Sequence, residues 1–205
     1  MMKYQSIKTV RSVALSLLAL SVMAVSALAK PLTLKVTPGQ PNLITFTSIA
    51  PLETIVGKTS SVRGALVFDP DNLAAPVSGS IEVDMATLDT DNRVRDGHMR
   101  SNHLHTDQFP FSRFTLQSLT DTGGQLKFDN GKQARFKARG SFLCHGVTHD
   151  IQPEVKAVWN ATAGELEVEA FFSVKLSDYN IPRPQFLVMK LDEMQAIAIK
   201  FTARP

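Results

Sequence analysis

The side chains best suited to chemistry are five histidines, which fall in two short stretches of the sequence. One stretch holds His98, His103 and His105, and the other holds His145 and His149. Imidazole is the commonest metal ligand in proteins. Ligands on one helix face, however, need spacings of three or four residues, whereas the first three histidines are spaced by five and two. Since no Cys pair and no His-Glu-x-x-His motif supports them, the sequence predicts no metal site and no cofactor.

Cys144 stands beside His145, which would suit a nucleophile and its base. Adjacent residues on a strand point to opposite faces, so this pair cannot form the hydrogen bond that activation needs, and Cys144 is predicted to be a small buried hydrophobe. One catalytic alternative stays open, an exported hydrolase-like enzyme for a small apolar substrate. In it, His98 or His145 would be the general base. Asp96 or Asp150 would orient the imidazole. The favoured interpretation has no catalytic residue and no enzymatic activity.

The elements that must position these side chains are mostly strands, because the dominant period after residue 30 is two. Apolar residues alternate with polar ones from Val77 to Met85 and from Glu165 to Leu176, which is typical of strands with one buried face. Shorter runs of the same kind recur along the chain, and so many strands in one domain indicate a sandwich or barrel. Between Thr90 and His105 the period changes and predicts a short helical insertion capped by Asp91. The stretch 177–194 is predicted to be a long loop or lid.

The apolar strand faces predict a core large enough for residues 30–205 to fold as one domain. They also carry small residues, and a barrel of eight strands can leave room for one apolar ligand. These small residues are Gly64, Gly79, Ala134, Ala138, Gly140, Ala157 and Ala170. In the opposite interpretation the glycines mark bulges or corners, and a solidly packed barrel serves only as an interaction module. If a cavity exists, the lipid-binding residues are predicted to be Val83, Met85, Val94, Met99, Phe114, Phe136, Phe142, Trp159 and Phe172.

Residues 1–29 have the pattern of a secretory signal. Lys3, Lys8 and Arg11 precede an uncharged run from Val13 to Ala29 whose last and third-last residues are small, so cleavage is expected after residue 29. An uncleaved membrane anchor is the alternative, since the run approaches the length of a bilayer span. The three basic residues account for the net charge of +3. The remaining chain is therefore balanced in charge, which argues against nucleic acid as a partner. An exported chain with a single cysteine is expected to be a soluble periplasmic protein.

Several motifs resemble those of one family. The stretch Leu88-Asp89-Thr90, followed by Arg95-Asp96-Gly97-His98-Met99-Arg100, resembles the Asp-Thr…Arg-Asp-x-His-[Leu/Met]-Arg signature of the YceI-like family. That family comprises lipocalin-like, polyisoprenoid-binding periplasmic proteins. Further similar stretches occur in family order at 57–64, 80–84, 140–148 and 176–181. Together the motifs cover about residues 43–203.

The resemblance implies an all-β fold, an extended eight-stranded antiparallel barrel with a short helical insertion. It also implies a hydrophobic tunnel that holds a long isoprenoid or similar lipid for transport, storage or sequestration. Transient contact with a membrane or carrier fits this role, and the sequence leaves a homodimer open. Three positions depart from the family pattern: Ala50 stands near an early family histidine, His105 replaces an acidic or aromatic residue, and Asn180 replaces a glycine. They bear on which lipid binds and on head-group contacts.

Overall fold

The computed structural model describes residues 31–186 and 189–205, and most of them lie in one antiparallel sheet. The expected signal, residues 1–29, lies outside the described residues. The strands are β1 (Leu32–Val36), β2 (Leu43–Ile49), β3 (Thr54–Thr59), β4 (Val62–Phe68), β5 (Ser78–Asp84), β6 (Phe111–Thr120), β7 (Gln133–Cys144), β8 (Val147–Ile151), β9 (Glu154–Asn160), β10 (Glu165–Lys175), β11 (Gln185–Phe186), β12 (Met189–Lys190) and β13 (Met194–Ala203).

The sheet curls into a barrel. We call each strand position around the barrel a stave, and three staves consist of two short strands placed end to end. β1 and β2 follow one another along one stave, and β3 and β4 along the next, because β1 pairs with β4 and β2 with β3. β8 and β9 share one edge of β7 in the same way. Counted as staves, the described residues form eight, in the order β1/β2, β3/β4, β5, β6, β7, β8/β9, β10 and β13. This confirms the predicted fold class, and the broken staves explain why the structure has more strands than the expected eight.

Two backbone bridges complete the ring beside the broken staves. β13 pairs with β2 along Ala196–Lys200, and beyond its end Arg204 exchanges two hydrogen bonds with Lys35 of β1, at 2.6 and 2.8 Å. On the other side Lys58 of β3 exchanges two hydrogen bonds with Asp89, at 2.8 and 3.0 Å. The barrel therefore leaves little exposed strand edge where β1/β2 and β3/β4 are interrupted.

At one end of the barrel, aromatic side chains close the interior. Phe68 makes edge-to-face contacts with Trp159 and with Phe128, at ring-centroid distances of 5.7 and 5.8 Å. Phe128 comes from the connection between β6 and β7, whose backbone is held beneath the barrel by a hydrogen bond to the carbonyl of Pro70. Leu34 of β1 is buried in the same cluster. We call this region the packed end.

The helical insertion lies over the opposite end, which we call the open end. Helix α1 (Arg93–His98) begins after Asn92, whose side chain accepts hydrogen bonds from the next turn, so the predicted cap at Asp91 is displaced by one residue. A wider π-helical segment, Met99–Leu104, continues α1 and ends where His105 adopts a left-handed conformation with φ of 45°. Among the residues that the structure describes, no helix combines the length and the apolar character of a bilayer span.

The described part of the predicted lid, residues 177–186 and 189–194, contains regular elements. It starts with a 3-10 turn, Leu176–Tyr179, that ends at Asn180 in a left-handed conformation with φ of 53°. Asparagine tolerates this conformation better than most residues, which explains how it replaces the glycine of the family pattern. β11 and β12 then pair as a separate two-stranded antiparallel sheet.

Candidate binding cavity

The open end encloses a cavity of about 700 Å³, which we call the outer cavity. Its wall is built from inward-facing residues of β2, β5, β7, β10 and β13 and is covered by α1 and the segment after β10. A smaller space of about 110 Å³, the inner cavity, lies deeper among β4 to β10. The two adjoin, since both are bordered by Val83, Ser112, Phe142, Phe172 and Ile199.

Most of the residues predicted from the sequence to bind lipid border one or both spaces. The outer cavity is lined by Val83, Met85, Val94, Met99, Phe142 and Phe172. The inner cavity is lined by Val83, Phe114, Phe136, Phe142 and Phe172. Trp159 borders neither, because its ring packs against Phe68 at the packed end. Val94 is 70% exposed and lies at the rim, so it faces the entrance rather than the interior.

Several lining residues were missed by the sequence analysis. The β2–β3 hairpin contributes to the rim and wall, and the segment after β10 closes one side. The missed residues include Ile44, Phe46, Leu52, Ile55, Val174, Leu176, Ile181 and Ile197. The inward alternation of β10 and β13 contains Val174 and Ile197, so strand period alone could have identified these two. No local pattern could reveal the contribution of the β2–β3 hairpin, which depends on how the barrel closes.

The small inward residues do not all have the role expected of them. A Cβ atom at Gly64 would lie 2.0 Å from the Ser80 carbonyl oxygen, and one at Gly140 would lie 2.2 Å from that of Thr115. These glycines therefore permit close strand approach and do not make space for a ligand. Ala157 is buried in the packed end. Ala138 and Ala170, by contrast, border the inner cavity.

The signature residues around α1 fasten the helix across the entrance. Asp96, 5% exposed, accepts hydrogen bonds from the backbone N–H and the hydroxyl of Thr90, at 2.9 and 2.6 Å. Arg95 donates to the same hydroxyl at 2.8 Å and forms an ion pair with Glu53 of the β2–β3 turn at 3.1 Å. Burial opposes ionisation of Asp96, but the hydrogen bonds from Thr90 and the charge of Arg100 outweigh it and lower its pKa. We call these contacts the polar clamp.

The structure brings together two histidines from separate stretches of the sequence. His105 Nδ1 lies 2.8 Å from His145 Nε2, and His145 Nδ1 lies 2.9 Å from the Tyr179 carbonyl oxygen. A carbonyl only accepts, so His145 Nδ1 carries a proton. Asp96 is engaged by Thr90, and within the described residues neither His98 nor His145 has a hydrogen bond to Asp96 or to Asp150. The hydrogen-bonded acid–base pairs of the hydrolase hypothesis are therefore not seen among these residues.

The remaining histidines hold loops in place. His103 Nδ1 donates to the Pro182 carbonyl at 2.8 Å, and His149 Nε2 contacts the Asp178 carbonyl oxygen at 2.9 Å. Burial lowers the pKa of His103, and the neighbouring histidines act in the same direction. Within residues 31–186 and 189–205, no three His, Cys, Asp or Glu side chains are grouped so that they could hold a metal ion.

Cys144 lies in the wall of the outer cavity with its side chain buried. Burial raises the pKa of its thiol. Because the thiolate is the nucleophilic form of cysteine, this environment makes the side chain less reactive. It contributes a small, weakly polar surface to the wall.

The entrance has an apolar rim. Leu52 at the tip of the β2–β3 hairpin is 83% exposed, and Val94 of α1 borders the same opening and is also exposed. Ile49, likewise exposed, directly precedes the lining residue Ala50. Arg93 and Lys190 add exposed positive charge near the same opening. Exposed apolar side chains beside an apolar cavity form a continuous apolar surface that leads from solvent to the interior.

Comparisons with known proteins agree with this architecture. A family model described as "YceI-like domain" matches residues 30–203. The UPF0312 protein plu2095 of Photorhabdus laumondii is 26% identical over 133 residues, and the match spans 62% of this chain and 62% of that protein. That share is less than two thirds of the relative's length.

Two solved structures share the fold at low sequence identity. BcnA of Burkholderia cenocepacia has a TM-score of 0.66 and 14% identity, covering 78% of this chain and 95% of that one. A polyisoprenoid binding domain from Saccharophagus degradans, implicated in plant cell wall breakdown, has a TM-score of 0.63 and 13% identity, covering 84% and 97%. The TM-scores show a common fold, and at such low identity the likeness extends to the fold alone.

Proposed function

The chain belongs to the YceI-like family, and on that premise we propose that it binds one long isoprenoid or similar lipid chain without changing it chemically. The observation that carries the proposal is the pair of adjoining apolar cavities at the open end, of about 700 and 110 Å³. The solved polyisoprenoid binding domain with the same fold supports an isoprenoid as the ligand class.

The cavity volumes limit how much of the ligand is enclosed. A methylene group is about the size of a water molecule, which occupies about 30 Å³ in the liquid. The outer cavity of about 700 Å³ therefore holds roughly 20 carbon-sized groups, and the inner cavity holds a few more. Burial contributes about 0.8 kcal/mol per methylene group, so a chain of this length binds tightly without specific polar contacts. A longer isoprenoid would project through the entrance.

The entrance fits transfer of lipid from an apolar source. We place the apolar rim of Ile49, Leu52 and Val94 against the surface of a membrane or of a carrier protein while lipid moves. Arg93 and Lys190 would favour an anionic membrane surface, since each basic side chain near such a surface contributes about 1 kcal/mol. The lipid would then pass between α1 and the β2–β3 hairpin without crossing water.

We further propose that the protein acts in the periplasm after removal of residues 1–29, where it transports, stores or sequesters its ligand. The charged start, apolar run and small final residues of this segment support export. A lipid that must cross an aqueous compartment needs a carrier that shields its chain, and the open end would provide that shield.

The test is native mass spectrometry and solvent extraction of the full chain purified from a lysate that contains membranes. We expect the wild-type protein to carry a lipid. Ile197→Trp places a large ring in the outer cavity and should abolish the bound mass. Ala196→Trp adds the same ring to the exposed face of the same strand and should retain the lipid. A uniformly ligand-free wild-type protein would contradict the proposal.

A further inference from the structure

Ser112 is a buried polar residue in an apolar wall. It occupies an inward position of β6, opposite Val83 of β5, and is 5% exposed. Its hydroxyl has no hydrogen-bond partner within the described residues. A buried hydroxyl without a partner is unfavourable, and native proteins rarely keep one without a reason. The position of this hydroxyl therefore requires an explanation.

The hydroxyl lies where the outer and inner cavities meet, since Ser112 borders both. The other residues that border both cavities, Val83, Phe142, Phe172 and Ile199, have apolar side chains. The Ser112 hydroxyl would donate a hydrogen bond to the thiolate form of Cys144, an interaction that acts to lower the pKa of that thiol. Burial has the larger effect and raises this pKa, so the group stays a thiol, which is only a weak acceptor, and the hydroxyl is left without a strong partner.

Two other buried hydroxyls without a partner provide a comparison. Ser48 on β2 and Thr120 at the end of β6 share this property, but neither borders the outer or the inner cavity. Only at Ser112 is a bound molecule within reach. The feature that distinguishes Ser112 is its access to ligand.

We propose that Ser112 donates a hydrogen bond to an oxygen atom carried inside the bound lipid chain. The cargo would then be an oxygen-bearing lipid, with a carbonyl, ether or hydroxyl group at the depth of Ser112, rather than a plain hydrocarbon chain. This inference rests on the proposed lipid-binding function and makes its ligand class narrower. The lipid oxygen accepts the hydrogen bond that the Ser112 hydroxyl otherwise lacks. This hydrogen bond also replaces the one to water that the oxygen loses when the lipid is buried.

The experiment uses stearate and a series of stearates that carry one keto group at successive chain positions. The carboxylate stays at the entrance, because burying an unpaired charge is costly, so the position of the keto group sets its depth. Affinities are measured by displacement of a fluorescent fatty acid from the full chain. We expect one position to bind about fivefold more tightly than its neighbours, the factor that a neutral hydrogen bond supplies.

Variants decide whether Ser112 causes the preference. Ser112→Ala should remove the peak, so that affinity no longer depends on the position of the keto group, and Ser112→Thr, which keeps a hydroxyl, should restore it. Thr120→Val removes a buried hydroxyl away from both cavities and should leave the peak intact. A flat profile in the wild-type protein, or a peak that survives in Ser112→Ala, would overturn the inference while lipid binding stands. Failure of both stearate and its derivatives to bind would overturn the proposed function as well.

Discussion

The two ends of the barrel share strands and an inward apolar face, yet aromatic rings leave a space of only about 110 Å³ beside the packed end, whereas the open end encloses about 700 Å³. At the packed end, the β6–β7 connection places Phe128 against Phe68 inside the barrel. At the open end, α1 is fastened over the entrance by polar contacts of Thr90 and Asp96. The difference teaches that the element covering each end decides whether the interior is core or cavity. The β6–β7 connection inserts an aromatic ring into the barrel, whereas α1 is held across the entrance by polar contacts and inserts no ring.

The largest expected effect comes from truncating a ring at each end. Trp159→Ala at the packed end should lower the free energy of unfolding by about 3–5 kcal/mol, since a large fully packed side chain is lost. Phe172→Ala in the cavity wall should cost less than half of that, because one side of its ring already faces empty space. Urea unfolding measures both. Equal costs would show that the open end is as tightly packed as the other.

Adding the same ring at each end tests the comparison from the opposite direction. Ala157→Phe, in the packed end, should destabilise the fold by roughly 1–3 kcal/mol through overpacking. Ala170→Phe and Ala138→Phe enter the inner cavity of about 110 Å³ and should lower the melting temperature far less. Both should weaken binding of the longest chains. If all three variants are destabilised alike, the inner cavity does not accept added atoms.

Releasing the clamp should affect the open end alone. Asp96→Ala leaves the Thr90 N–H and hydroxyl without their acceptor and should cost about 1–3 kcal/mol. Hydrogen exchange should increase in α1 and stay unchanged in β9, and bound lipid should dissociate faster. Because the pKa of Asp96 is lowered in the fold, its contribution is present above the ordinary carboxylate pKa and is lost as pH falls through the lowered value. Unaltered exchange in α1 would show that the clamp does not hold the cap.

The smallest effect concerns pH. Burial lowers the pKa of His103 below its ordinary value of 6.5, so the unfolded chain binds a proton here at pH values where the fold does not. Stability should therefore rise with pH between the lowered value and about 6.5 and level off above it. His103→Asn keeps a donor for Pro182 and should flatten this slope in thermal unfolding from pH 5 to 8. An unchanged slope would assign the dependence to other groups.

Strand period predicted the barrel and much of the cavity wall, because alternation records which side chains face inward. The alternation of apolar and polar residues does not show how far along the barrel axis a residue lies. Trp159 and Phe172 were therefore both predicted to bind lipid, although Trp159 lies in the packed end and Phe172 in the cavity wall. It also cannot distinguish a glycine that makes space from Gly140, which lets two backbones approach. The contacts of Arg95 with Glu53 and of His105 with His145 join residues 42 and 40 positions apart and arise from chain closure. Arg95 and His145 lie in the motifs that the sequence shows, but Glu53 does not, and no motif shows which residues pair.

Photolabelling with a palmitate analogue that carries a diazirine in mid-chain tests most directly that the open end holds lipid and the packed end does not. The full chain is irradiated with the probe, digested, and the labelled residues are identified by mass spectrometry. The account predicts label on the cavity wall, around Phe142, Val174 and Ile197. Label concentrated around Trp159 and Leu34, or spread over the outer barrel surface, would contradict it.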